Sequence, residues 1–139
     1  MSIQKKVKKS LLEGNTIELA GMEFRKMTAS SFTLCELLEL RIVSGKSSKY
    51  PQFEILAFLY IHFVGSREAR KLIYDESEGV DKQGRSKVFV DACMDWADDL
   101  PFSDYTKLAQ GIGQMLEEGF SGAVETQSEK VEGNDRKVA

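Results

Sequence analysis

The chain has 139 residues, 42% of them hydrophobic and 29% charged, with a formal net charge of −3 and a pI near 5.3. That length and balance suit one globular domain able to bury a core without disulfide or metal staples. The acidic surplus disfavours nucleic acid as the main partner, because phosphate neutralisation calls for an excess of Lys and Arg.

The opening residues Ser2 to Glu13 place Ile3, Val7 and Leu11 on one helical stripe with Lys5, Lys6, Lys8 and Lys9 spread around it, and Gly14 and Asn15 stop the element. No apolar stretch of signal-peptide length follows the lysines, so no secretion signal is expected. In "TIELAGMEFRKM" Ile17 and Leu19 alternate with polar neighbours, Ala20-Gly21 can turn, and Met22 and Phe24 alternate again. This pattern predicts a β-hairpin, which needs an apolar surface beneath it because two strands alone are not stable in water.

Helical spacing of Leu34, Leu37, Leu38, Arg41 and Ile42 predicts a helix from about Ser31 to Val43, with Ser30 or Ser31 as N-cap and Gly45 closing it. Pro51 then opens a helix running to Val64. Apolar on almost every face, that helix should be the central one. Its most apolar run, Ile55 to Val64, is ten residues long, about half of the ~20 that a bilayer span needs, so no membrane partner is expected. Gly65-Ser66 ends it and caps a short helix through Arg67, Leu72, Ile73 and Tyr74. "DESEGVDKQG" over Asp75–Gly84 reads as the longest surface loop. A helix from Ser86 to Asp99 should turn Val88, Phe89, Ala92, Cys93 and Trp96 inward and Asp91, Asp95, Asp98 and Asp99 outward. After Leu100-Pro101, Ser103 should cap a last helix carrying Tyr105, Leu108, Ile112, Met115, Leu116 and Phe120. Beyond Val124 there are too few apolar side chains to offset the entropy of ordering, which predicts a flexible polar tail.

The fold class that follows is mainly α: a small single-domain helical bundle with a short N-terminal β-hairpin, the domain spanning 1–125 and the tail 126–139. A search for chemistry within it finds no catalytic set. The acidic, aromatic stretch "CMDWADDLPFSDYTKL" over 93–108 reads as a helix–turn–helix corner, because proline disfavours helical geometry in the residue before it and Ser103 with Asp104 offers capping oxygens to the next helix. Its aspartates could in principle hold a divalent cation or act as acid and base. Nothing nearby supplies a nucleophile or a third ligand type, and a solvated face accounts for them.

His62 is the only histidine, so no metal site built on two histidines can form in one chain, and the margin of a core helix explains it. Cys35 and Cys93 lie in Leu- and Phe-rich stretches that suit buried, reduced thiols rather than nucleophiles. The loop from Asp75 fails the calcium-loop spacing, with Gly79, Val80 and Ser86 at positions five, six and twelve. "GIGQ" at 111–114 lacks a third glycine in phase and a preceding strand, so close helix packing around Gly111 explains it. "MLEEGFSGAVE" offers glutamates where a DNA-reading helix would offer Arg, Lys, Asn or Gln. No cofactor and no metal requirement are expected.

In order, "NTIELAGMEFRKMTASSF" leading into "TLCELLEL", the hydrophobic "FEILAFLYIHF", and the pair "FVDACMDWADDLPFSDYTKLAQGIGQMLEEGFSGAVE" resemble the tail assembly chaperones of long-tailed bacteriophages. The resemblance spans roughly Asn15 to Glu125 and rests on element order and hydrophobic texture rather than on an invariant motif. It implies a non-enzymatic helper in the host cell cytoplasm, absent from the mature virion, that binds the tape measure protein and assists assembly of the tail tube protein. A phage or bacterial adaptor binding some other helical partner is the alternative, followed by a nucleic-acid-binding regulator; a homo-oligomer stays open. Independently of the family, an acidic helical domain can shield the apolar stripe of a partner helix in a groove of its own. Leu37, Leu40, Met115, Leu116 and Phe120 are the groove candidates, each of which could equally be core.

Overall fold

The computed structural model describes the backbone of residues 15–138 and the side chains of residues 15–120. The basic segment expected as a helix over Ser2 to Glu13 lies outside the described residues. The architecture is mainly helical, with a two-stranded antiparallel hairpin at its start. The hairpin comprises β1 (Thr16–Leu19) and β2 (Met22–Arg25), with Ile17 opposite Phe24 and Leu19 opposite Met22. Its turn places both Ala20 and Gly21 at positive φ, 51° and 76°. This is the primed geometry that matches the twist of short hairpins.

Five α-helices follow among the described residues: α1 (Ala29–Leu37), α2 (Pro51–Val64), α3 (Ser66–Ile73), α4 (Lys87–Asp98) and α5 (Phe102–Val138). Between α1 and α2 lies a 3-10 turn at Arg41–Ser44. The helix expected from about Ser31 to Val43 is thus corrected at both ends. Its N-cap is Thr28, whose side chain accepts the Ser31 amide while the Ser31 hydroxyl accepts the Thr28 amide, a reciprocal capping box. It stops at Leu37 because Glu39 takes a left-handed φ of 58°, a conformation that disfavours any residue with a Cβ. The break rotates Leu40 and Val43 into the core, which an unbroken helix to Val43 would not do.

The two helices around Leu100-Pro101 fall close to expectation. Ser86 caps α4 by accepting the Phe89 amide, and α5 starts at Phe102, so Ser103 lies inside the first turn instead of preceding it. The helical backbone of α5 runs on through the polar segment after Val124.

α2 is the hub, touching β2, the 3-10 turn and each of the other four helices. Ala57, Phe58, Leu59 and Ile61 on it are fully buried against Phe24, Leu34, Phe89, Cys93, Leu108 and Met115. The hairpin lies on α2 and α5, which supplies the apolar bed that it needs. Gly111 explains how close the second contact is: a Cβ there would stand 2.8 Å from the Leu19 methyls. The close approach expected at Gly111 is therefore made by a strand and not by another helix. Trp96 is only half-buried, at the edge of an aromatic group in which its ring centroid lies 5.4 Å from Phe63, 5.9 Å from Tyr60 and 6.5 Å from Phe24. On the inward face expected for α4, only Phe89 and Cys93 are fully covered.

Candidate functional site

Two neighbourhoods concentrate the unusual chemistry of this chain. One lies at the C-terminal end of α2. His62 is buried rather than marginal, and its Nδ1 donates to the Phe58 carbonyl at 2.7 Å. A neutral ring then has Nε2 free to accept, and the Ser31 hydroxyl donates to it at 2.9 Å. Burial lowers the His62 pKa, which favours that neutral form despite the opposing pull of the Phe58 carbonyl. A serine hydrogen-bonded to a histidine is the beginning of a nucleophilic pair. Here, however, the Ser31 oxygen is itself buried and also accepts the Thr28 amide at 2.8 Å, so the pair ties the start of α1 to α2. Beside it opens a polar cleft of about 550 Å³, edged by Arg25, Lys26, Ser30, Ser66, Arg67 and Glu68.

Two other polar groups go to the same structural end. The Glu54 carboxylate, buried on α2, accepts the Ile42 amide at 2.9 Å and the Ser48 hydroxyl, and so holds the 3-10 turn and the connector to α2. In the long loop, one Asp81 oxygen accepts the amides of Gln83 and Arg85 at 2.9 and 2.8 Å. Burial pushes the thiols of Cys35 and Cys93 up to about 12, which keeps them protonated and weakly nucleophilic.

The second neighbourhood is the corner between α4 and α5, together with the first turns of α2. An open apolar groove of about 360 Å³ runs there between Gln52, Leu56, Ala97, Leu100, Phe102 and Tyr105. Phe102, at the first position of α5, is 76% exposed. Its ring stands 5.7 Å from that of Tyr105, whose hydroxyl donates to Gln52 across the groove. The polar tip of the tyrosine is thus satisfied while its ring lines the groove. Asp98 and Asp99 are exposed beside Ala97 and Leu100, and Asp104 lies between Phe102 and Tyr105 in the chain.

The groove residues expected from sequence separate into two sets. Leu40 and Met115, 2% and 1% exposed, are core and present no docking surface. Leu37 is 63% exposed on α1, Leu116 is half-buried, and Phe120 is partly exposed with its ring 5.7 Å from Phe32. These three do not line the corner groove. Phe102, Leu56 and Gln52 line the groove without belonging to the set expected from sequence. A signal was present for the first, since a phenylalanine directly after a helix-breaking Leu-Pro has little core within reach.

Among the described residues, no three His, Cys, Asp or Glu side chains converge so as to hold a metal ion, and no helix is long and apolar enough to cross a membrane. Comparison with protein-family models, with curated proteins and with solved structures gave no match to this chain.

Proposed function

We propose that this chain is a non-enzymatic binding protein for a helical partner, and in particular a tail assembly chaperone that binds a tape measure protein and assists tail tube assembly in the host cytoplasm. The observation that carries the reading is the open apolar groove at the α4–α5 corner, on a domain whose buried polar side chains are taken up in holding its own fold. An apolar groove offered to solvent covers an apolar stripe on something else. A tape measure protein, long and helical, presents such stripes before the tube encloses it. The order of elements from Asn15 to Glu125, with its resemblance to the phage chaperones, supports the choice of that partner.

The test is co-expression of the full chain with the long helical protein encoded beside it. Co-purification of the two, with the long protein aggregating when expressed alone, is the expected result. A long partner that is equally soluble without this chain and does not co-purify with it would overturn the assignment and favour an adaptor with some other helical partner.

A further inference from the structure

We infer that the corner groove is built for a basic amphipathic helix supplied by a partner protein, an inference that rests on the partner-binding reading above and assigns its surface and chemistry. The apolar half comes from Leu56, Ala97, Leu100, Phe102 and Tyr105. Its ~360 Å³ lies at the small end of the range for cavities that enclose a ligand. Being open along one side, it suits the row of side chains at i, i+3, i+4 and i+7 on one helix face better than an enclosed molecule.

The charged half is set by sequence. Between Lys87 and Lys107 the chain carries five aspartates and no lysine or arginine. Three of them, Asp98, Asp99 and Asp104, are interleaved with the residues that line the groove. The Asp98 and Asp99 side chains make no hydrogen bond or ion pair among the described residues, so their charge faces outward uncompensated. A helix approaching with Lys or Arg beside its apolar stripe meets complementary charge, and one flanked by Glu meets repulsion. The groove therefore selects by sign as well as by shape.

Labelled-peptide anisotropy on the full chain tests this with two synthetic 18-residue helices that share one leucine stripe, one carrying lysines elsewhere and the other glutamates. The lysine peptide should bind about tenfold or more tightly than the glutamate peptide, with affinity falling as salt is raised. Phe102→Ser, at an exposed position, should fold normally and weaken lysine-peptide binding by about tenfold. Asp98→Asn with Asp99→Asn should weaken it several-fold and flatten its salt dependence. Equal binding of the two peptides, or binding unchanged in Phe102→Ser, would overturn the inference. So would two other outcomes: a dimer of the free protein that Phe102→Ser dissociates, which would make a second copy the occupant, or lysine-peptide binding seen only after Lys5, Lys6, Lys8 and Lys9 are changed to glutamate, which would make the chain's own first residues the occupant. A tape measure protein that fails to co-purify while the peptides behave as described would sink the proposed function and leave the groove assignment standing. Capture of that protein undiminished by Phe102→Ser would do the reverse.

Discussion

At one end of α2, His62 and Ser31 bury polar atoms and match each of them with a partner; at the other, Leu56 faces an open groove whose far wall is an exposed phenylalanine. Each end departs from the ordinary rule of apolar inside and polar outside, but in opposite directions. At the His62 end the departure is internally resolved, since a buried polar group costs little once its hydrogen bonds are made. At the Leu56 end the apolar side chains are left open to solvent. One helix thus separates the chemistry that holds the domain together from the surface offered outward, and substitutions at its two ends should divide the same way.

The largest effect is expected where the two regions meet. Trp96 precedes groove residue Ala97, yet its ring packs with Phe24, Tyr60 and Phe63. Trp96→Ala should cost about 3 kcal/mol in urea unfolding, the low end for deleting a large aromatic because the ring is only half-buried. It should spare peptide binding in whatever fraction stays folded. Loss of binding with an unchanged unfolding midpoint would move the tryptophan to the docking surface.

Next comes the buried tie. Ser31→Ala removes half of the capping box and leaves Nε2 of His62 without its donor, which together should cost about 2 kcal/mol. A loss below about 0.5 kcal/mol would mean that the tie is idle. The same tie makes stability depend on pH in a defined direction. Because burial holds the His62 pKa below its unfolded value, the unfolded chain binds the extra proton first. The contribution is complete above the ordinary histidine range near pH 6.5 and declines as pH falls through the lowered folded value. Thermal melting followed from pH 7.5 down to 5 should show the decline, and His62→Gln should flatten it.

The smallest stability effects belong to the outer face of the corner. Phe102→Ser and the double change Asp98→Asn/Asp99→Asn should each shift the unfolding free energy by about 0.5 kcal/mol or less. A larger loss in either would place that residue in the fold and remove the contrast between the two ends of α2.

What could be read from the sequence followed from how local its cause is. The bounds of α2 and α4 are set by Pro51, Gly65, Ser86 and Pro101, all of which act within a turn of themselves, and these helices begin and end close to where the sequence places them. The end of α1 was not legible, because Glu39 adopts a left-handed backbone only so that Leu40 can reach a core assembled from distant segments. The tie at His62 was invisible for the same reason: its partner Ser31 lies on another helix, and no spacing rule connects them. Glu54 could have been suspected as the one acid within an apolar helix, although its hold on Ile42 and Ser48 could not. For the groove, the acidic stretch was legible and the apolar floor was not, since Leu56 and Leu100 look like core until their positions relative to each other are known.

The notches in α5 bear on the order in which the chain is made. Gly111 receives Leu19 and Gly119 receives Met27, each so closely that a Cβ would stand within 3 Å of the incoming side chain. Glycine weakens a helix, so this stretch of α5 leans on the hairpin, and the hairpin in turn rests Leu19 against it. During synthesis the strands leave the ribosome well before the notches. The hairpin can therefore seat β2 on α2 once that helix is made, while Leu19 on β1 stays uncovered until α5 arrives.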